Sequence, residues 1–422
     1  MTLSLGIDVG TSGVRTAVLD GADVVSSAQA DHPKNAKTGI DAMDWWRAVE
    51  TCLVNQSAAL RDLGRDPAQI GRIAIDATSG SMVLVDAAGD PASPGLMYNS
   101  KDFDAEAARI RPHADADHIT QGSNSALARA MRLQAMATGT PVRLLHQADF
   151  IQAQLTGLPG TSDYNNALKT GFDPHALTWP KWIGQVFDAD LLPPVVAPGQ
   201  PIATVSRAIA NRFGLSPHAV VCAGTTDSIA AFMASAPFDL GVAVTSLGST
   251  LAIKVLSSAR IDDPACGLYS HRLGDFWLVG GASNTGGAVL KQLFSDQDLR
   301  DLSAQIDPMQ DGDLGYYPLP KPGERFPIND PDMQPILSPV PDTQPAFLHA
   351  LFEAIARIEA QCFAAVIQRG GPKPTQILTA GGGAQNPVWT VIRAKHLGLT
   401  PTAPNHSDAS IGAAKLAAGM FG

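Results

Sequence analysis

Hydrophobic positions in this chain fall into short β-like runs that stop at turns of Gly, Ser and Thr. Between these runs, apolar residues return at helical spacing. Residues 3–9 are β-rich and end in Asp8-Val9-Gly10-Thr11-Ser12-Gly13, and residues 14–19 continue as a second strand. The pattern predicts a hairpin with small hydroxyl residues at its tip. Residues 44–63 predict a helix with Trp45, Val49, Cys52 and Leu53 on one side, stopping near Gly64. A strand over 70–77 runs into Thr78-Ser79-Gly80-Ser81, and 95–182 mixes helical stretches with polar loops such as Ser162-Asp163-Tyr164-Asn165-Asn166. A strand over 219–223 leads through Gly224-Thr225-Thr226-Asp227 into a small-residue helix over 228–234. Strands over 242–246 and 251–256 flank Leu247-Gly248-Ser249-Thr250. Pro/Gly-rich, acidic sequence over 307–342 reads as an extended surface excursion. A helix over 345–369 opens on proline, whose missing N–H would be unpaired there anyway. A strand-turn over 377–386 and a last small-residue helix from Ala409 complete the pattern.

Two of these turns match. Asp8-Val9-Gly10-Thr11-Ser12 and Ser246-Leu247-Gly248-Ser249-Thr250 are both strand, Gly-hydroxyl-hydroxyl turn, then strand. Gly10 and Gly248 stand 238 residues apart, more than half of the 422-residue chain. A repeat at that distance predicts two related lobes, each opening on a hairpin, with a boundary near 237–241. The lobes are then 1–238 and 239–422.

Composition narrows the function. Lys and Arg number 30 against 40 Asp and Glu, a net charge of −10 with no basic block, which weighs against a nucleic-acid binder. A nucleotide substrate stays open, because backbone amides and a local cation hold phosphates inside acidic proteins. Cys52, Cys222, Cys266 and Cys362 are scattered without a CxxC pair, so reduced buried thiols are expected rather than a zinc or redox site. The first residues lack a basic n-region and no apolar run is long enough to span a bilayer, so a cytoplasmic location is expected. The ten histidines show no HExxH or paired spacing, and His146 and His271 read as structural.

A hairpin tip of Gly and small hydroxyl residues leaves backbone N–H groups free, a concavity suited to phosphate oxygens. It is also an ordinary turn composition. The paired occurrence of Gly10, Thr11, Ser12 and Gly248, Ser249, Thr250 favours the phosphate reading, with Asp8 able to serve magnesium. Asp227, at a strand end and helix start, is the candidate general base for a sugar hydroxyl, although aspartate is also a favoured N-cap. Gly381-Gly382-Gly383-Ala384-Gln385-Asn386 is a turn that backbone or ligand must approach closely: a nucleoside, or tight strand–helix packing. Gly280 to Gly287 is similarly permissive. No GxGxxG fingerprint and no GxxxxGK[ST] loop occurs, which removes a Rossmann dehydrogenase and a P-loop kinase.

These residues carry a resemblance. Gly6-Ile7-Asp8-Val9-Gly10-Thr11-Ser12 is similar to the first phosphate motif shared by sugar kinases, actin and heat-shock chaperones. Together with Gly224-Thr225-Thr226-Asp227, Ser246 to Thr250 and Ala380 to Asn386, in the family's order, it resembles the FGGY carbohydrate kinases over essentially the whole chain. The resemblance implies an α/β fold of two ribonuclease-H-like (actin/hexokinase-type) lobes with a central cleft holding ATP, magnesium and sugar. It implies Asp227 as catalytic base, Asp8 as the metal and phosphate residue, and Gly381, Gly382, Gly383 and Asn386 as adenosine contacts. The first lobe would then bind sugar and phosphate and the second adenosine. Leu96-Met97-Tyr98-Asn99, Ser162 to Lys169, Tyr269-Ser270-His271-Arg272 and Gly280 to Gly287 resemble the D-ribulokinase, xylulokinase-like branch. Xylulokinases usually carry Trp-Asn-Asp-x-Arg and Ser-Gly-Gln-Met-His-Gly where this chain reads Tyr98-Asn99-Ser100-Lys101-Asp102 and Ser79-Gly80-Ser81-Met82-Val83-Leu84. The departures argue against D-xylulose. Asp76, Ser79 and Asn99 remain as polar residues to face the sugar, or to satisfy their own loops. The expected reaction is ATP-dependent phosphorylation of D-ribulose. Rivals are another kinase of the family, acting on D-xylulose, a pentitol or glycerol, and an actin- or chaperone-like ATPase without sugar acceptor. Partners are the small-molecule sugar and ATP, with no nucleic acid and no membrane; a homodimer is allowed.

Overall fold

The computed structural model describes residues 2–33 and 41–421, and these divide into two compact units, residues 1–234 with 406–422, and 235–405. In the first unit β1 (Leu3–Val9), β2 (Gly13–Asp20) and β3 (Asp23–Asp31) form an antiparallel meander. Then α1 (Ala42–Asp62) leads to β4 (Ile70–Ala77), which pairs parallel with β1. Asp41 caps α1 by accepting from the Met43 N–H, and the helix buries Trp45, Val49, Cys52 and Leu53, the face its spacing predicted.

A smaller hairpin, β5 (Met82–Val85) with β6 (Arg143–His146), encloses α2 (Asp104–Ile110) and α3 (Ala126–Met136) in sequence. After α4 (Gln147–Thr156), β7 (Ser162–Asp163), α5 (Tyr164–Leu168) and β8 (Val195–Val196), the main sheet resumes. It takes up β9 (Pro201–Thr204) and, beyond α6 (Arg207–Phe213), β10 (Val220–Cys222). The order is β3-β2-β1-β4-β10-β9, and β11 (Thr225–Thr226) pairs with β4 before α7 (Asp227–Ser235) begins.

The second unit repeats the theme. β12 (Val242–Leu247) and β13 (Leu251–Ser257) form an antiparallel hairpin, β14 (Tyr269–Leu273) and β15 (Phe276–Ser283) extend it, and α8 (Gly287–Leu293), α9 (Asp296–Ser303) and the long α10 (Gln344–Gln368) follow. β16 (Gln376–Ala380) then pairs parallel with β12, giving the order β14-β15-β13-β12-β16. A hairpin whose first strand later receives a parallel neighbour is common to both units. α11 (Pro387–Leu397) closes this unit, and α12 (Ala409–Ala417) belongs to the first, where it packs on β1, β2 and β4. Gly6 makes that packing possible, since a Cβ there would lie 1.9 Å from the Ser410 carbonyl oxygen.

The stretch 307–342 departs from expectation. It lacks regular helix or long strand, as its Pro/Gly content predicts, but it is no mere surface excursion: Tyr316, Phe326 and Glu324 are buried. Aromatic side chains in an irregular segment have filled the second core. The four cysteines are free and buried, and His146 is buried against Asp149 (2.8 Å), Ser162 (3.0 Å) and Thr170 (2.9 Å).

Candidate active site

The predicted residues of the first unit converge on the ends of its central strands. Parallel pairing sets Asp8 of β1 level with Asp76 of β4, and Asp76 level with Thr225 of β11. Residues level across parallel strands share a face, so two carboxyl groups stand side by side. Both are buried, and among the described residues no N–H or O–H reaches either Asp76 oxygen. Burial is the main reason that the Asp8 pKa is pushed up to about 6; the negative charges of Asp408 and Asp227 add to it, while a hydrogen bond from Asp76 opposes it. Burial, then the charges of Asp8 and Asp227, raise Asp76 well above the carboxylate range. Both carboxyl groups therefore keep a proton to higher pH than an exposed aspartate does.

Asp227 lies two residues past Thr225, half-buried, at the first position of α7, and its Oδ1 accepts from the Ser228 N–H at 2.6 Å. Its charge is felt by both Asp8 and Asp76. Asp408 was not singled out from the sequence. It caps α12, accepting from the Ser410 N–H (3.0 Å) and hydroxyl (2.7 Å), and Arg15 spans it and Asp8 at 3.8 Å each. An aspartate just before a predicted helix was the one signal, and nothing local tied that helix to the first hairpin.

Gly10, Thr11 and Ser12 form the β1–β2 turn, closed by Gly10 N–H to Gly13 O at 2.9 Å, with Thr11 and Ser12 exposed. His32 Nε2, just past β3, lies 2.9 Å from the Gly10 carbonyl oxygen and braces the turn. Ser79 follows β4 with its buried Oγ unpartnered, and Asn99 is exposed on the next loop. The two loops are joined, because Tyr98 N–H donates to Ser81 Oγ at 3.0 Å and Leu96 bridges Met82.

In the second unit Gly248, Ser249 and Thr250 make the matching exposed turn. The loop after β15 supports it from below: Gly287 N–H donates to Gly248 O (2.8 Å) and Ala288 N–H to Ser249 O (3.0 Å). That loop is fastened in turn by buried Glu324, which accepts from Ser283 Oγ (2.5 Å), Asn284 N–H (2.7 Å) and Tyr317 OH (2.9 Å). The permissive run from Gly280 to Gly287 thus has a use the sequence did not reveal. Gly381 follows β16 at a φ of +96°, where a Cβ would stand 2.6 Å from the Leu247 oxygen, so the triple-glycine turn lies against the Gly248 turn. Asn386 caps α11, accepting from Trp389 N–H (3.0 Å) and donating to Ser303 (2.8 Å). Beside that turn a cavity of about 310 Å³ is bordered by Thr379, Gln385, Thr390, Arg393 and Thr402. Arg393 is buried in a two-bond ion pair with Glu359 (2.6 and 2.7 Å), and Glu359 also accepts from Thr245, locking β12, α10 and α11 together.

Each unit thus offers a Gly-hydroxyl turn fit for phosphate, and the first adds an acidic cluster fit for a hydroxyl acceptor. The N-terminal domain of the FGGY family of carbohydrate kinases matches residues 3–234, and its C-terminal domain matches 243–420. The chain belongs to the FGGY family of carbohydrate kinases. It is an ATP-dependent sugar kinase with the family's α/β fold of two actin/hexokinase-type lobes. A xylulose kinase of Streptomyces coelicolor is 26% identical over 449 residues, covering 99% of this chain and 88% of that protein. A gluconokinase of Bacillus subtilis is 20% identical over 418 residues, covering 91% and 81%. Among solved structures, a xylulose kinase from Rhodospirillum rubrum superposes with a TM-score of 0.86 at 22% identity, over 99% of this chain and 89% of that one. Named FGGY relatives therefore act on more than one acceptor.

Proposed function

We propose that this kinase phosphorylates a ketopentose, D-ribulose, to D-ribulose 5-phosphate, with Asp227 as general base. The observation that carries the base assignment is the position of Asp227: half-buried at the start of α7, in electrostatic contact with Asp8 and Asp76, which have lost their own solvation. It accepts the proton of the terminal sugar hydroxyl as that oxygen attacks the γ-phosphorus. Asp76, Ser79 and Asn99 hold the sugar. The turns at Gly10–Ser12 and Gly248–Thr250 supply backbone amides to the phosphates, and Gly381–Gly383 with Asn386 supplies the adenosine contact. Residues 1–238 then act as the sugar and phosphate lobe, completed by α12, and the rest of 239–422 as the adenosine lobe. We place the enzyme in the cytoplasm, where free buried thiols such as these four persist.

Magnesium fits the acidic cluster: Asp8 and Asp76 are buried carboxyl groups, and among the described residues no compensating cation comes closer than Arg15 at 3.8 Å from Asp8. Among the described residues no group of three or more His, Cys, Asp or Glu is arranged as a metal cage. Asp8 would hold the ion together with substrate phosphates, as hard, reluctantly dehydrated magnesium prefers. When bound, the ion neutralises charge on the phosphates. Support for D-ribulose over D-xylulose comes from the loops: Val83 and the Ser100-Lys101-Asp102 segment stand where xylulokinases carry histidine and an acid–arginine pair.

The test is sugar-stimulated ADP release with magnesium-ATP across D-ribulose, D-xylulose, L-ribulose, ribitol and glycerol, with Asp227→Asn alongside. Stimulation by D-ribulose, reduced on the order of a thousandfold or more in the variant, is expected. Preference for D-xylulose would move the substrate; undiminished turnover in the variant would remove Asp227 as base.

A further inference from the structure

We propose that Arg129 is the positioning residue of the acceptor half-site, the side chain that makes the loops carrying Ser79 and Asn99 one rigid surface. The proposal rests on the reading that those loops hold the sugar. Arg129 sits one turn into α3, whose cap Ser125 accepts from the Ala128 N–H at 3.2 Å. Its side chain is only 2% exposed. Nη1 donates to the Gly80 carbonyl oxygen at 2.6 Å, and Nη2 donates to Tyr98 O at 2.8 Å and Asn124 O at 3.2 Å. One guanidinium therefore ties the residue after Ser79 to the residue before Asn99. The Phe103 ring lies 5.7 Å from its central carbon.

Chemistry sets this arginine apart from a packing residue. Arg132, three positions on, pairs with Glu106 at 2.5 and 2.9 Å and packs on the same phenylalanine. Among the described residues Arg129 has no such carboxylate: its acceptors are neutral carbonyls, and burial alone pushes its pKa down to about 10, still protonated at neutral pH. A buried charge whose two Nη groups meet only backbone oxygens, and whose Nε has no partner among the described residues, is costly, and an apolar side chain would fill the space more cheaply. What an apolar side chain cannot supply is a planar fork that fixes three carbonyls from separate segments. Gly80 is shaped to it, with φ +91° and room for a Cβ only 3.2 Å from Nη1. Without Arg129, the loops keep the Ser81–Tyr98 bond and the Leu96–Met82 bridge, which hold the loop stems and leave the Gly80 carbonyl free. Ser79 and Asn99 would then lose their fixed spacing, and the penalty would fall on sugar binding rather than on ATP.

The experiment measures KM for D-ribulose and for ATP in wild type, Arg129→Lys and Arg129→Met, with hydrogen exchange over 78–100 and thermal unfolding on the same samples. Misplacement of positioning groups is expected to raise sugar KM tenfold to a hundredfold in Arg129→Met, on the order seen for ångström-scale errors. Arg129→Lys should lie between, since it keeps the charge but cannot bridge three carbonyls. ATP KM should stay within about twofold of wild type, and exchange should quicken over 78–100 in both variants. A fall in kcat with both KM values unchanged would show a lost folded fraction and overturn the positioning role. So would Arg129→Lys with wild-type sugar KM and exchange. If wild type itself shows no sugar stimulation, the acceptor reading fails and this role fails with it. Wild-type stimulation combined with unmoved variants rejects Arg129 alone.

Discussion

Replacing Asp8 by asparagine should make the protein more stable at pH 8 while disabling it. Burial and neighbouring carboxylates hold the Asp8 pKa at about 6 against an ordinary 3.8. Below pH 3.8 the folded and unfolded chains both carry the proton. Between 3.8 and about 6 the folded chain keeps a proton that the unfolded chain has released, so stability falls as pH rises through this window. A shift of roughly two units corresponds to about 3 kcal/mol lost by the time pH exceeds 6. Asp76 acts with the same sign and extends the loss upward in pH. Asp8→Asn removes the titrating group at nearly constant shape. At pH 4 the variant should melt close to wild type; at pH 8 it should melt higher by up to about 10 °C, using 2–4 °C per kcal/mol for a domain of this size. The assay is thermal unfolding of ligand-free protein across pH 4 to 8, with and without magnesium. Magnesium should raise the wild-type melting point at pH 8 and leave the variant nearly unmoved, since the ion relieves the charge that the mutation deletes. A difference between the proteins that does not change with pH, or a variant less stable at pH 8, would refute the account of a strained acidic pair.

Three more outcomes are expected. Gly6→Ala should destabilise by about 3 kcal/mol or fail to fold, since the added methyl meets the Ser410 oxygen of α12; denaturant unfolding measures it. Arg393→Met should cost about 3–5 kcal/mol, because Glu359 would be left charged and buried; urea unfolding against Arg393→Met/Glu359→Leu, in which neither charge remains, should show most of the loss recovered. Glu324→Ala should raise ATP KM on the order of tenfold with sugar KM little changed, because it frees the loop under the Gly248 turn; steady-state kinetics against both substrates distinguish this from loss of folded enzyme.

Strand and helix positions were legible where burial follows period. α1, β4, α10 and α12 fall within a residue or two of their predicted spans, because each has an apolar face and a cap or turn signal in sequence. The two hairpins were legible from Gly and hydroxyl residues flanked by β-branched runs. Long-range partners were not. Arg15 faces Asp8 across the β1–β2 hairpin, but Asp408 joins them only through packing of α12, a segment from the far end of the chain. Arg129 carries no motif; its meaning lies in which carbonyls surround it. The burial of Tyr316, Glu324 and Phe326 was hidden by Pro and Gly around them, which report backbone irregularity and say nothing about depth.

The repeat within the chain supplies an internal control on the acidic pair. In the first unit β1 and β4 bring Asp8 level with Asp76; in the second, β12 and β16 bring Ser246 level with Ala380. Pairing, parallel direction and the following Gly-hydroxyl turn are the same in both, so this architecture closes a sheet without carboxyl groups at that point. Steric or hydrogen-bonding needs of the sheet therefore do not explain Asp8 and Asp76, whose burial costs about 3 kcal/mol for Asp8 alone at neutral pH. A costly feature present in one copy and absent from the other fits the role proposed for it in the reaction, and it sits in the copy that also holds Asp227. The second copy, freed of that cost, presents its turn against three glycines, a surface of backbone suited to a nucleotide. Asp8→Ser with Asp76→Ala, which writes the second unit's pair into the first, should therefore fold, melt higher than wild type at pH 8, and catalyse no sugar phosphorylation. A double variant that unfolds at pH 8 would show that the fold needed the acids after all.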